Sequence, residues 1–259
     1  MRVAFTAVAG VVGLVFGSFL TVVVHRVPRH ESVVAPRSRC PVCGTEIRAS
    51  DNIPVIGWLL LRGRCRACGE PISPRYPLME LLTGALFAGA AWHFGPRFAA
   101  GLVAALFAVL VAVSAIDLER KVIPNRIVYP SLVAFAVIVV LGWLAGVDID
   151  PIRGLIGLVA FGLPIALVVL ISPRGMGMGD AKLAALIGLV LGSLGLSYVA
   201  VAAGAAILAG GLGAIVAVVF FGAGRKTAIP FGPYLAAGAV VAAFVAPRVA
   251  AWYTALPGR

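Results

Sequence analysis

The sequence predicts an all-α fold: a polytopic membrane bundle of about eight transmembrane helices with a small zinc-stapled cytoplasmic insertion. Three observations carry that expectation. Hydrophobic residues make up 61% of the chain and charged residues only 12%, against roughly 25% charged in soluble domains. Apolar runs of membrane-spanning length recur along most of the chain, and the mean hydropathy is +1.07. All four cysteines fall inside one polar stretch. A soluble fold cannot cover so much apolar surface with so few charges, so lipid is the solvent for most of this chain.

The apolar runs cover 3–24, 77–94, 98–116, 127–146, 154–171, 181–194, 196–221 and 229–245. The first is longer than a signal-peptide core and lacks a small-residue cleavage site, so it is expected to be a retained helix. Only Gly192, Ser193 and Gly195 interrupt the sixth and seventh. One helix through both would measure about 60 Å, twice the hydrocarbon thickness, so a turn is required there. The expected organisation is a first transmembrane helix over 1–24, a cytoplasmic four-cysteine domain over 25–76, and a membrane domain over 77–259.

The formal charge of +11 invites a nucleic-acid reading, but its distribution opposes one. Nearly all basic residues sit in short gaps between apolar runs, where they orient helices. One side of the expected topology holds 16 of the 21: nine arginines from Arg26 to Arg75, then Arg120, Lys121, Arg126, Arg174, Lys182, Arg225 and Lys226. The other holds Arg2, Arg97, Arg153, Arg248 and Arg259. The basic-rich side is expected to face the cytoplasm, with both termini on the opposite side. The partners implied are a lipid bilayer and no nucleic acid.

The cysteines read Cys40-Pro-Val-Cys43-Gly and Cys65-Arg-Ala-Cys68-Gly, with twenty-one residues between. Two C-x-x-C-G knuckles let four thiolates turn onto one tetrahedral zinc, each glycine easing a tight turn. Arg39, Arg64 and Arg66 would offset part of the negative charge. A four-thiolate site leaves no position for water or substrate, so such a zinc would be structural. Two disulfides are the alternative, disfavoured on a reducing cytoplasmic face.

The chain has ten acidic residues, and carboxylates at membrane depth are costly and usually functional. Asp117 ends the third apolar run in Ser114-Ala-Ile-Asp-Leu-Glu-Arg-Lys-Val-Ile-Pro-Asn125. Asp180 opens the sixth in Gly175-Met-Gly-Met-Gly-Asp-Ala-Lys182. Both fall at the cytoplasmic membrane boundary. Brought together, two carboxylates divide their roles: one takes a proton from water and the other donates to the scissile carbonyl or leaving amine. Gly175, Gly177 and Gly179 would let a peptide backbone approach Asp180. Gly177, Gly179 and Lys182 are expected to shape the site. Anchoring of helix ends is the plainer reading of either aspartate alone. Glu80, just inside the second run, is expected to play a structural part beside an arginine.

Competing constellations are poor. The chain has no H-E-x-x-H and no G-x-S-x-G, and only three histidines. His25 and His30 fall in the basic stretch, and His93 ends a run near the opposite face.

These residues resemble the type IV prepilin peptidases, bifunctional leader peptidase/N-methyltransferases of bacteria. The matching motifs are Gly17-Ser-Phe-Leu20, His25-Arg-Val-Pro28, the paired knuckles, Asp51-Asn-Ile-Pro-Val55 with Trp58, and Leu61-Arg-Gly-Arg-Cys65. They continue with Ile72-Ser-Pro-Arg-Tyr-Pro77 leading to Glu80, both aspartate motifs, and Pro230-Phe-Gly-Pro-Tyr234. The resemblance implies a multi-pass protein of the bacterial inner membrane, its active site facing the cytoplasm. It implies cleavage of pilin-like precursors after a glycine preceding their apolar helix, and methylation of the new N-terminus from S-adenosylmethionine. By motif position, Asp117 and Asp180 take the catalytic places, and Cys40, Cys43, Cys65 and Cys68 the zinc-binding ones. Where the family commonly has Asn after G-S-F-L, this chain has Thr21. The rival readings are a peptidase without methyl transfer and an ion-coupled transporter, whose acidic sites would lie near the midplane.

Overall fold

The computed structural model describes residues 1–171, 176–221 and 230–255. Gly175, the basic residues Arg174, Arg225, Lys226 and Arg259, and the start of the last apolar run at Ile229 lie outside the described residues. The chain forms two compact units, Met1–Ala112 and Val113–Arg259. All regular elements among the described residues are helical.

The first unit opens with α1 (Arg2–Arg26). A short 3₁₀ turn follows, then an insertion containing α2 (Ile56–Leu60), then α3 (Arg75–Phe94). α1 and α3 pack along each other through small residues. A Cβ placed on Gly17 would lie 2.6 Å from Glu80 Cα, so only glycine lets the two backbones come this near. α4 (Phe98–Arg120) begins in this unit and ends in the second.

The second unit adds α5 (Asn125–Leu144), α6 (Pro151–Ile171), α7 (Met178–Leu194), α8 (Leu196–Phe221) and α9 (Gly232–Thr254). Local chemistry sets several of these ends. Pro124, extended and without an N–H, precedes α5. Asp150 Oδ1 accepts the N–H groups of Ile152 and Arg153 and so caps the start of α6. The turn required between the sixth and seventh runs is the single residue Gly195, at φ +156°, where a side chain would be strained.

α7 is the centre of this unit, packed against α5, α6, α8 and α9. Leu183, Leu186, Ile187 and Leu191 are fully buried, so the helix is apolar on all sides and covered on all sides. Its closest neighbour is α6. A Cβ on Gly157 or on Gly188 would overlap the backbone of the facing helix, and one on Gly162 would lie 2.7 Å from Ala185 Cβ.

Among the described residues, six helices are long and apolar enough to cross a membrane: α1 with its following turn, α4, α5, α6, α8 and α9. The sequence reading counted eight. The two that fall short are α3, which carries Arg75, Glu80 and His93, and α7, whose 17 residues include Asp180 and Lys182. At 1.5 Å per residue α7 measures about 26 Å, below the roughly 30 Å of hydrocarbon.

Replacing Gly188 by Val should destabilise the folded protein by about 2 kcal/mol or more, because the added atoms meet backbone that cannot yield. Gly204→Ala, where the added methyl meets open space, should leave stability unchanged or slightly raised. Thermal unfolding of both variants in one detergent provides the comparison.

Candidate active site

Asp117 lies in the last turn of α4, and Asp180 in the first turn of α7. Both are buried, at 4% and 7% relative exposure. Because α5 and α6 lie between them as an outgoing and a returning helix, the end of α4 and the start of α7 fall on one side of the unit. Side-chain contacts confirm that placement. The Cβ-less face of Gly179 receives Ile123, from the turn just after α4, and an added Cβ would lie 2.8 Å from Ile123 Cβ. Lys182 Nζ donates to Asn125 Oδ1 at 3.1 Å and sits 4.8 Å from the Tyr129 ring centroid.

Each carboxylate is held by a backbone N–H at the start of a helix. Gly177 N–H donates to Asp180 Oδ2 at 2.9 Å, while the Asp180 N–H donates back to the Gly177 carbonyl at 3.0 Å. This is a capping box whose first member contributes backbone alone. Gly232 N–H, the first of α9, donates to Asp117 Oδ2 at 3.0 Å. A Cβ on Gly232 would sit 2.8 Å from that oxygen, so the carboxylate reaches the helix start only because residue 232 has no side chain. The Oδ1 of each aspartate has no hydrogen bond among the described residues.

The sequence reading put Asp117 and Asp180 at one membrane boundary, and the structure puts the two helix ends that carry them on one side of the unit. It redistributes the neighbours. Gly177 holds Asp180 directly. Gly179 makes room for the chain's own Ile123. Lys182 turns to α5, where it meets Asn125 and Tyr129. Gly232 was missed as a site residue, although the motif Pro230-Phe-Gly-Pro-Tyr234 stood out; nothing in its spacing says that its amide meets a residue 115 positions earlier.

In the first unit the four cysteine Sγ atoms lie within 4.8 Å of one another, with Cys40 and Cys68 3.8 Å apart. Zn–S bonds of about 2.3 Å in a tetrahedron put sulfurs roughly 3.8 Å apart, so the donor set fits one such ion. The two knuckles are built alike. Cys40 N–H donates to the Thr45 carbonyl and Gly44 N–H to the Cys40 carbonyl; Cys65, Glu70 and Gly69 repeat both bonds. Gly44 and Gly69 both take positive φ, +70° and +75°.

Hydrogen bonds from the Thr45 side chain and backbone pull the Cys43 pKa down to about 6, which makes it a thiolate at neutral pH. Cys68 goes the other way, to about 12: a Glu70 backbone hydrogen bond favours its thiolate, but burial and the sulfurs of Cys43, Cys65 and Cys40 outweigh it. Four thiols this close cannot all ionise without a cation.

Arg66 does not face the sulfurs alone. It forms a two-pronged pair with Asp51, at 2.9 and 2.6 Å, and its hydrogen bonds hold the Asp51 carboxyl below the usual range. Glu80 Oε2 accepts the Val55 N–H at 2.7 Å, a backbone partner where an arginine was expected. Thr21 Oγ1 donates to the Ser18 carbonyl of its own helix at 2.7 Å.

Residues 11–94 match the bacterial peptidase A24 N-terminal domain, and residues 104–224 match the type IV leader peptidase family. A curated relative from Burkholderia pseudomallei (strain 1026b) is 38% identical over 94% of this chain and 85% of its own length. The chain belongs to the type IV leader peptidase family. Relatives from Stutzerimonas stutzeri and Bacillus subtilis (strain 168) are 36% and 35% identical, covering 96% and 93% of this chain and 94% of their own lengths. All three bear the name prepilin leader peptidase/N-methyltransferase. No solved structure matches the chain.

If the Asp117 carboxylate holds the start of α9, Asp117→Ala should expose the Gly232 amide. Deuterium exchange of a peptide covering 231–235 should then quicken about tenfold, the loss of roughly 1.5 kcal/mol expected for one such bond. Unchanged exchange would mean the bond adds nothing to that helix start.

Proposed function

We infer that this membrane enzyme is a prepilin leader peptidase and N-methyltransferase, cutting pilin-like precursors by a two-aspartate mechanism and methylating the new N-terminus. The observation that carries this reading is the pair of buried carboxylates, Asp117 and Asp180, each steadied through Oδ2 by a glycine amide. Fixing one oxygen aims the other, and two Oδ1 atoms are left to handle water and substrate. One carboxylate removes a proton from the attacking water. The other, carrying a proton, donates it to the scissile carbonyl; as the tetrahedral intermediate collapses it takes that proton back, and the first carboxylate passes the proton from water to the leaving amine. Gly177 and Gly232 are positioning residues, and their amides also keep each carboxylate oriented through the exchange of protons. The reaction needs no metal at these groups.

The excess of basic residues on the side of these carboxylates supports a cytoplasmic active site in the inner membrane. Cleavage at that boundary suits a substrate whose scissile bond sits just outside its own membrane-spanning segment. S-adenosylmethionine would supply the methyl group. Zinc, held by Cys40, Cys43, Cys65 and Cys68, would lock the two knuckles together and supply no chemistry, since four thiolates close its coordination. An ion-coupled transporter is the weaker reading, because both aspartates lie at helix ends rather than at a break midway along a helix.

Asp117→Asn and Asp180→Asn should each lower cleavage of a prepilin by at least about 10²-fold while the protein stays folded, since an amide neither accepts nor shares the proton. Mass spectrometry of one reaction with prepilin and S-adenosylmethionine resolves both steps: the wild type should yield the shortened product and the same product heavier by one methyl group. Near wild-type cleavage by either variant would sink the two-aspartate mechanism.

Purified protein should carry one zinc per chain, and Cys40→Ser or Cys65→Ser should release it. Affinity should fall as pH drops, because protons compete for the thiolates, Cys68 foremost. Elemental analysis of protein prepared without chelator decides the stoichiometry.

A further inference from the structure

The insertion between α1 and α3 carries an apolar surface that its own fold does not use. Ile53, Ile56, Leu59 and Leu60 are all exposed, the last two at 60% and 74%. They lie on and beside α2, on one side of it. The other side is the packed one: Gly57 is pressed against the Asp51 backbone, and Trp58 Nε1 donates to the Ile72 carbonyl at 3.0 Å with its ring over Gly63. A small polar insertion with seven arginines against four acidic residues has no reason of its own to present leucines outward.

Two further observations say what covers them. The start of α2 is tied to the membrane helices, because Val55, the residue before it, donates its N–H to Glu80 in the second turn of α3. On α3, Leu78, Leu81 and Leu82 are exposed in turn, so α2 begins level with an apolar outer surface that runs beside the membrane-crossing α1. Arg62 and Arg64 come immediately after the leucines, exposed and in no ion pair among the described residues. Of the other arginines, Arg37 pairs with Glu46, Arg66 with Asp51, and Arg26 and Arg29 with backbone carbonyls, while Arg39 and Arg48 are exposed as Arg62 and Arg64 are, but lie away from the leucines in the chain. Apolar side chains followed by unpaired guanidinium groups, held at the level of a membrane face, are the pattern of an interfacial segment on anionic lipid.

We propose that α2 is an interfacial anchor: Ile56, Leu59 and Leu60 enter the bilayer surface, and Arg62 and Arg64 bind anionic phospholipid headgroups there. The insertion thus rests on the membrane rather than standing free in the aqueous phase. This holds whichever substrate the enzyme cuts, since it depends only on the chain being a membrane protein.

The test places the photo-crosslinker p-benzoylphenylalanine at position 60, at position 56 in a second variant, and at the exposed position 37 as control. The full-length protein is held in nanodiscs of phosphatidylcholine, alone or with phosphatidylglycerol. The expected result is a lipid adduct at 60 and 56 and none at 37, with several-fold more adduct when phosphatidylglycerol is present. Arg62→Ala with Arg64→Ala should remove that preference and leave the basal adduct. Absence of lipid adducts at 60 and 56 in both compositions overturns the proposal. So do adducts only to a second copy of the chain, which would make the leucines a contact between copies. Loss of helical content in one crosslinker variant transfers the decision to the other.

Discussion

Helices surrounded by lipid gain nothing by hiding leucine from leucine, so this bundle is held where backbones touch. The contact on which the second unit depends is that of α6 with α7 at Gly157 and Gly188, where neither position has room for a single added carbon. α7 is thereby fixed at the middle of five helices, apolar on every side and too short to be a comfortable span by itself. What looks like a weak transmembrane segment is the best-packed element of the unit. Its first turn, which carries Asp180, inherits that rigidity.

Rigid placement of α7 explains why the carboxylates can rely on backbone partners. Asp180 is held by the turn that begins its own helix, and Asp117 by the first amide of α9. Amides on helix ends move only if the helices move, so such partners keep orientation better than long side chains would. The same logic accounts for the two glycines nearest the site. At residue 179 the missing side chain seats Ile123, bringing the end of α4 against the start of α7. At residue 232 it admits the carboxylate itself.

The insertion of the first unit works under a different constraint. It has little core: Trp58 over Gly63, the Arg66–Asp51 pair, and two turns that copy each other's hydrogen bonds. Each C-x-x-C-G turn brings two sulfurs to the same point, and a closed metal site makes one unit of two separate loops. Glu80 fastens this insertion to α3 through a backbone amide, which is why a buried carboxylate there requires no cationic partner.

The sequence by itself determined the class and most of the helices. Composition demanded lipid, run lengths placed most helix ends within a few residues, although α9 runs on to Thr254 past the expected end at 245, and the need for a break among Gly192, Ser193 and Gly195 followed from length alone. C-x-x-C-G spacing is local enough to show four sulfurs converging, and scarcity of acids singled out Asp117 and Asp180. Only the tertiary structure decided how those elements are used. Hydropathy cannot distinguish a helix covered by lipid from one covered by protein, so α7 read as one more span instead of the centre. Nor can local spacing reveal the partner of Gly232, because a backbone amide has no sequence signature and its acceptor lies on another helix. Lys182 stood two residues from Asp180 and read as part of the site. In the helix those two positions face apart, and the ammonium went to Asn125 and Tyr129.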